Sequence, residues 1–469
     1  LQVVKKNINI SNLLNIKNFL ILFFISVWLS IDTSLINLSE EYAISFKNIF
    51  IKLRIILPYI FFIIFIILYR KDIFYYKEQF LLFSCVLFFI LQSFGLFTTD
   101  NSTQNIGFIL SSVFLFFIFY VCKNKLINIY IFLNISIFIL TLILLLYGYA
   151  LLDWFYTSTS NRNLYGSWPH SLENLSYLSN NLPRSSGLSR VATILFIYFS
   201  FKAIIKIEKN FIFYTIIFIF LTIIILLTQS RIVLLFYIGY VVIYFISISI
   251  SNLINLKKKI QLITIVFILP FLVTIFSVQY KNDIVDFLAF EDHYYELGEM
   301  PSDTSNKIIK EINESILSPK AGMRRGKEEI IRKMDPESFT SQRFNDWKKI
   351  FQKHEKFIFG YGSMGDRFLI NQTASNSFIY SYVSTGIVGL IMFSIIFLRS
   401  LYISIFFILK SKFLVSYQNY RTLIASSIVL FLLVRSLVET SFALFGIDFI
   451  IFFVSLFYIE NKKNLVLSK

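Results

Sequence analysis

Arginines that stand at the ends of long apolar runs are the residues of this sequence best suited to chemistry. Arg184 and Arg190 flank the start of one run, and Arg231 lies in a short polar turn between two others. Arg435 and Glu439 are close enough near the end of a later run for one helix face to carry both. A guanidinium group presents a fixed fork of donors that binds phosphate oxygens in pairs and stays charged at a membrane surface. The pattern predicts a site for a phosphate-bearing anion.

The longest polar segment contributes a second group of candidates. Arg343 and Trp347 begin a predicted helix there, and Gly360 and Gly362 form a Gly-x-Gly turn before the next apolar run. Trp347 suits a loop core or an interfacial anchor better than a platform for a sugar ring, and it is a secondary candidate.

The sequence carries no metal or nucleotide signature. His170, His293 and His354 are scattered through polar segments without the spacing of metal ligands. Cys85 and Cys122 fall in or beside apolar runs and suggest neither a disulfide framework nor a metal site. A P-loop, a dinucleotide fingerprint and an Asp-x-Asp pair are also missing. We therefore expect no metal, no cofactor and no cytoplasmic nucleotide chemistry.

The elements that must position these residues are transmembrane helices. Hydrophobic residues make up 56% of the 469 residues and charged residues 15%, and the mean hydropathy is +0.70. A soluble domain has about 25% charged residues. The net charge of +16 would favour a nucleic-acid partner in a soluble protein. Here the lysines cluster between apolar runs, as topology signals do, so no nucleic acid is expected.

The apolar runs predict an all-α polytopic membrane protein with about 12 transmembrane helices. A bilayer core requires about 20 apolar residues per helix, and a helix satisfies its own backbone polar groups in lipid. The first run follows Lys5, Lys6 and Lys17 without a small-residue cleavage site, so it is predicted to be a retained anchor. The predicted spans are 18–36, 55–70, 79–97, 105–122, 127–151, 188–206, 210–228, 232–250, 260–279, 378–398 (or to 409), 421–438 and 441–459.

Charge in the connecting segments predicts the orientation. Alternate loops carry lysine clusters, so these loops and both termini are predicted to be cytoplasmic in a bacterial inner membrane. Two outside loops, about 153–187 and 280–377, exceed the usual connection length. The predicted division is an N-terminal bundle over 1–279, a large periplasmic helical loop over 280–377 and C-terminal helices over 378–469.

The candidate arginines all fall on the non-cytoplasmic side in this topology. Arginines that converge there would hold a lipid-linked diphosphate and stabilise negative charge on it as it leaves. Snorkelling to the membrane interface explains the position of Arg190 as well as a role in binding does. Arg435 and Glu439 could form an intrahelical ion pair that has no role in binding.

Short motifs follow one another in a characteristic order over roughly residues 180–445. The motifs are Arg184-x-x-Gly187, Ser230-Arg231, Arg343-x-x-x-Trp347, Gly360-x-Gly362, Ala374-Ser375-Asn376-Ser377-Phe378 and Thr385-Gly386-Ile387-Val388-Gly389-Leu390. Their order and spacing resemble the superfamily of O-antigen ligases and O-antigen polymerases. The resemblance implies a GT-C-like, metal-independent membrane glycosyltransferase. Such an enzyme takes a glycan from an undecaprenyl-diphosphate carrier on the periplasmic face.

The resemblance also implies roles for individual residues. The outer-face arginines of the family correspond to Arg184 and Arg231, with Arg190 as a further diphosphate-binding candidate. Arg343 and Asn376 would shape the sugar or acceptor site. The general base is left open between Glu439, Asp366 and Glu355, and Arg435 and Ser375 are secondary candidates.

Two related activities remain open. A ligase transfers the glycan to lipid A-core, whereas a polymerase transfers it to the next lipid-linked repeat unit, and a chain-length regulator could be a further partner. Ligases carry a histidine where this chain has Ser375. Serine cannot act as a base near neutral pH, so we favour the polymerase.

Two other classes of protein remain as alternatives. A transporter for the lipid-linked glycan would have a similar number of helices, but it would more often place charges at mid-membrane and break helices with Gly or Pro. A non-catalytic envelope scaffold would tolerate substitution of the arginines.

Overall fold

The structure, a computed structural model, describes residues 16–31, 53–67, 80–93, 102–123, 128–157, 185–228, 230–250, 254–279, 343–370, 372–410 and 419–467. Within these ranges the regular elements are all helices and no strand occurs. The predicted all-α class is therefore confirmed. Most of the two predicted outside loops, and Arg184, lie outside the described residues.

We number the helices in chain order. They are α1 (Ile16–Ser30), α2 (Leu53–Ile67), α3 (Phe80–Leu91), α4 (Ser102–Lys123), α5 (Tyr130–Thr157), α6 (Ser185–Lys206), α7 (Phe211–Thr228), α8 (Arg231–Ile250), α9 (Leu256–Ile263), α10 (Leu269–Gln279), α11 (Arg343–Lys353), α12 (Gly365–Ile370), α13 (Ser377–Lys410), α14 (Tyr420–Ser436) and α15 (Ile447–Leu467). A π-helical turn, Thr264–Ile268, joins α9 to α10, and a 3₁₀ turn, Ser441–Ala443, lies between α14 and α15.

Length and composition make this a membrane protein. Among the described residues, 4 helical stretches are long and apolar enough to cross a membrane, namely Gly187–Lys206, Ile232–Ser249, Leu256–Phe276 and Ser377–Lys410. Shorter apolar helices are Lys17–Ser30, Leu53–Ile67, Phe80–Leu91, Ile106–Val121, Tyr130–Leu146 and Phe211–Leu226. The total of about 12 spans, the three-part division and the periplasmic placement of the long loop stay predictions.

Aromatic side chains fill the contacts between helices. Phe24 of α1 meets Phe132 of α5 edge-on at 4.9 Å between ring centres, and Phe117 of α4 meets Phe132 at 5.3 Å. Lipid chains are as apolar as these side chains, so shape and dispersion rather than the hydrophobic effect favour helix association here. Phenylalanine side chains therefore form much of the close packing between the helices.

The last helices bring distant parts of the chain to one end of the bundle. α14 packs against α6, α8, α13 and α15. It ends beside the first residues of α13, because Asn376 Nδ2 donates to the carbonyl of Leu437 at 2.8 Å. α6 and α15 begin at the same level, where Arg190 and Arg435 meet Asp448. This end of the bundle carries the candidate site.

α13 is interrupted at Gly386, which has φ 66° and ψ −164°. The loop that contains the Gly-x-Gly motif lies against this break. The amides of Tyr361 and Gly362 donate to the carbonyls of Val383 and Ser384, each at 2.8 Å. In return the amide of Ile387 donates to the carbonyl of Phe357 at 2.9 Å. The loop thus satisfies backbone groups that the break removes from the helical pattern.

Gly386→Ala is expected to destabilise the protein by about 1–3 kcal/mol or more, because only glycine adopts this backbone conformation without strain. An added Cβ would also collide with the carbonyl of Ile358. The measurement is thermal unfolding of the purified protein in detergent. Gly239→Ala in α8 is the matched control, since a Cβ there meets nothing within 4 Å. Equal unfolding temperatures for the two variants would contradict the prediction.

Candidate functional site

The centre of the site is Asp448, a buried carboxylate at the start of α15. Its side chain is only 3% exposed, and Arg190 Nη1 lies 3.1 Å from its Oδ1. Arg435 Nη1 contacts Oδ2, and Ser441 Oγ donates to the same oxygen at 3.0 Å. One carboxylate is therefore shared by two arginines that come from α6 and α14.

The two arginines have more donors than Asp448 can use. Each guanidinium carries five N–H groups, and the Nε atoms of Arg190 and Arg435 are buried without a hydrogen-bond partner in the described part of the chain. The side chain of Arg190 is 17% exposed, whereas that of Arg435 is 6% exposed. Arg190 is therefore the member of the pair that an outside anion could reach.

A second ion pair lies beside the first. Arg343 Nη2, at the start of α11, is 3.6 Å from Glu439 Oε1, and these side chains are 30% and 28% exposed. An intrahelical pair of Arg435 with Glu439, which the spacing left open as an alternative, is wrong. α14 ends at Ser436, so Glu439 lies beyond the helix, and Arg435 pairs with Asp448 instead. Each residue therefore pairs with a different element: Arg435 with Asp448 of α15, and Glu439 with Arg343 of α11.

Asn376 holds the turn that carries Glu439. Its Oδ1 accepts from the amides of Phe378 and Ile379 at 2.8 and 3.1 Å, which caps the start of α13. Its Nδ2 reaches Leu437, and Ser377 Oγ donates to the carbonyl of Glu439 at 2.9 Å. The structure therefore places Asn376 next to the charged cluster, with its amide used to position the backbone.

Trp347 and Asp366 fix the loop that leads into α13. Trp347 Nε1 donates to the carbonyl of Ala374 at 2.6 Å. Asp366, 1% exposed, accepts from the amides of Ala374 and Arg367 at 2.7 and 2.9 Å. Burial raises the pKa of Asp366 above the usual range of a carboxyl, against the lowering by these amides. Both residues serve as supports, and Asp366 is closed to a substrate.

Other predicted residues stand around this loop. Ser375 has φ 48°, and its hydroxyl lies 3.3 Å from that of Thr373. His354 stacks on Tyr382 with ring centres 4.4 Å apart, and burial lowers the pKa of the imidazole. Glu355 is exposed. Among the three candidate bases, Glu439 is the one whose side chain contacts the arginine cluster.

Arg231 begins α8 at the same end of the bundle. Phe236, further along α8, contacts Phe431 of α14 with ring centres 4.9 Å apart. This contact places the start of α8 near the end of α14. The side chain of Arg231 and all of Arg184 lie outside the described residues. Their predicted role in binding a diphosphate stays a prediction.

Asp448 and Ser441 are residues of the cluster that sequence reasoning missed. The available signal was an aspartate within the predicted span 441–459. A carboxylate within an apolar run is costly in lipid and is functional until shown otherwise. Counting acids as well as arginines at the helix ends would have identified Asp448.

Comparison with known proteins identifies one region of similarity. A family model described as O-antigen ligase matches residues 216–394. The match confirms the resemblance to the O-antigen ligase and polymerase superfamily that the motifs predicted. It includes Arg231, Arg343 and Asn376, whereas Arg190 and Asp448 lie beyond it. No curated protein and no solved structure matches the chain.

Proposed function

We propose that this chain, which resembles the O-antigen ligases and polymerases, polymerises O-antigen or related polysaccharide repeat units at a membrane. The family match supports an activity of the ligase or polymerase type in general. The observation that carries the proposal is the meeting of Arg190, Arg343 and Arg435 at one end of the helices. Among the described residues, the acids that pair with these three guanidinium groups are Glu439 and Asp448, which leaves a net positive charge for an anionic substrate.

The anion that this field would hold is the diphosphate of an undecaprenyl-linked glycan. Arg190 would contribute its free donors, and Arg184 and Arg231 would complete the clamp from the neighbouring helix ends. Asp448 would keep Arg190 and Arg435 in place before the substrate arrives. Preorganised donors of this kind stabilise the charge that develops on a leaving group.

The reaction would be a direct displacement. A hydroxyl of the acceptor attacks the anomeric carbon of the donor glycan from the face opposite the diphosphate. The new glycosidic bond forms as the bond between that carbon and the diphosphate oxygen breaks, with inversion. Undecaprenyl diphosphate leaves with the electron pair, and Glu439 takes the proton of the acceptor hydroxyl.

The acceptor would be the next lipid-linked repeat unit. Ser375 occupies the position where ligases carry a histidine, and its hydroxyl faces Thr373. A serine cannot replace that histidine as a base. We place the reaction at the periplasmic face of the inner membrane, with both termini in the cytoplasm and without a metal, and with a chain-length regulator as a further partner.

The glycan profile of a deletion strain tests this function. A single repeat on lipid A-core, with the long chains lost, is the result expected for a polymerase. Long chains that accumulate on undecaprenyl diphosphate, beside bare core, would show a ligase instead. An unchanged ladder would overturn both activities for lipopolysaccharide and favour a capsule or a transporter.

Complementation of the same strain tests the clamp. Arg231→Ala is expected to leave only short chains, and Arg231→Lys to restore them in part, because lysine supplies a point charge rather than a fork. Protein abundance must be equal in each strain. Full chain length with both variants would contradict a role for Arg231 in binding diphosphate.

A further inference from the structure

A second cluster of cations lies at the opposite end of the bundle, between α5, α6, α14 and α15. Lys202 Nζ of α6 is 5.2 Å from the ring centre of Tyr198 and 6.0 Å from that of Tyr420. Arg421 Cζ of α14 is 5.7 Å from the ring centre of Tyr420 and 5.1 Å from that of Tyr130. Both cations therefore contact the ring of Tyr420, and each also packs against the ring of another tyrosine.

Neither cation forms an ion pair with a carboxylate in the described ranges. Glu208, just after α6, and Glu460, on α15, pair with other basic residues at 3.7 and 2.7 Å. The chain segments 124–127 and 411–418, which lead into α5 and α14, contain lysines but no Asp or Glu. The cluster thus holds two close positive charges whose counter-charge does not come from these parts of the chain.

A buried phenol completes the cluster. Tyr130 is 3% exposed, and its Oη has no hydrogen-bond partner among the described residues. The ring lies 5.5 Å from that of Tyr458 and directly beside Arg421. A buried O–H group without an acceptor is costly, so an acceptor oxygen at this point would stabilise the protein.

We propose that Lys202, Arg421 and Tyr130 bind the phosphate of an anionic phospholipid in the leaflet at this end of the bundle. Arginine binds phosphate oxygens through its fork, lysine adds a point charge, and the phenol donates a hydrogen bond. A cation that merely snorkels extends towards water, whereas Lys202 and Arg421 lie over tyrosine rings between helices.

The location of the cluster favours a lipid over a soluble phosphate compound. It lies where α5 and α14 begin and where α6 approaches its end. Basic and aromatic residues at the ends of membrane helices stand near lipid headgroups, and a leaflet supplies anionic lipid at high local concentration. A headgroup bound here would join α6 to α14, the helix whose other end carries Arg435. The inference does not rest on the proposed function.

Native mass spectrometry of the purified full chain, titrated with phosphatidylglycerol, tests the proposal. Phosphatidylcholine with the same acyl chains measures binding that does not depend on net charge. The test variant is Lys202→Gln with Arg421→Gln. The matched control is Lys209→Gln with Lys257→Gln, which removes two exposed lysines. Tyr130→Phe removes one hydroxyl and keeps the ring.

We expect the double variant to bind phosphatidylglycerol at least ~tenfold more weakly and the control to bind within about twofold of the wild type. Tyr130→Phe is expected to weaken binding by about three- to tenfold, and it carries the test if the double variant fails to fold. Equal affinity in the test and control variants would overturn the site. Displacement of the lipid by millimolar inorganic phosphate would overturn the assignment to a lipid.

Discussion

Replacing Glu439 by glutamine is expected to lower the rate of glycan transfer by about 10²–10⁴-fold, the usual contribution of a general base. Glu439 contacts Arg343 at 3.6 Å and is 28% exposed, so a substrate can reach it. Asp448 is enclosed by two arginines, and Asp366 is held by backbone amides. Glutamine keeps the size of the side chain and an oxygen for Arg343, but it cannot take a proton.

The measurement is transfer between lipid-linked repeat units by the purified chain in proteoliposomes. We expect kcat to fall while KM changes little. Glu355→Gln, on the exposed loop, is the control and should retain the rate within about twofold. A Glu439→Gln variant as active as this control would exclude Glu439 as the base.

Asp448→Ala is expected to lower the free energy of unfolding by about 3–5 kcal/mol, the cost of breaking a buried ion pair. The substitution would leave Arg190 and Arg435 close together without their shared carboxylate. Two positive charges that lie close together repel each other strongly where water is scarce. The measurement is denaturant-induced unfolding in detergent micelles, with helix content as the signal.

The ion pair between Arg399 and Glu460 supplies the matched control for this experiment. Its arginine is 37% exposed, so Glu460→Ala leaves a cation that can turn towards the surface. We expect Glu460→Ala to cost about 1 kcal/mol or less, and Asp448→Asn to fall between the two alanine variants. A larger cost for Glu460→Ala than for Asp448→Ala would refute the central role given to Asp448.

The sequence by itself determined the class of the protein and placed the candidate arginines near the ends of predicted helices. Hydropathy and the length of an apolar run are local properties, so they indicate a membrane helix without knowledge of its neighbours. The tenth predicted span extends as α13 through Ser377–Lys410, in line with the longer of its two predicted bounds. The predicted helix beginning at Arg343 is α11. The motif order also identified the family that matches residues 216–394.

Only the tertiary structure decided which charged residues meet. Arg190 and Asp448 are far apart in sequence, and no local pattern states that α6 and α15 begin side by side. The break at Gly386 and the Gly-x-Gly loop look like separate motifs, yet each supplies hydrogen-bond partners for the other. Spacing along the chain left open a pair of Arg435 with Glu439, but α14 ends at Ser436 and Arg435 pairs with Asp448. Partners between distant helices depend on how the helices pack, which a local pattern does not contain.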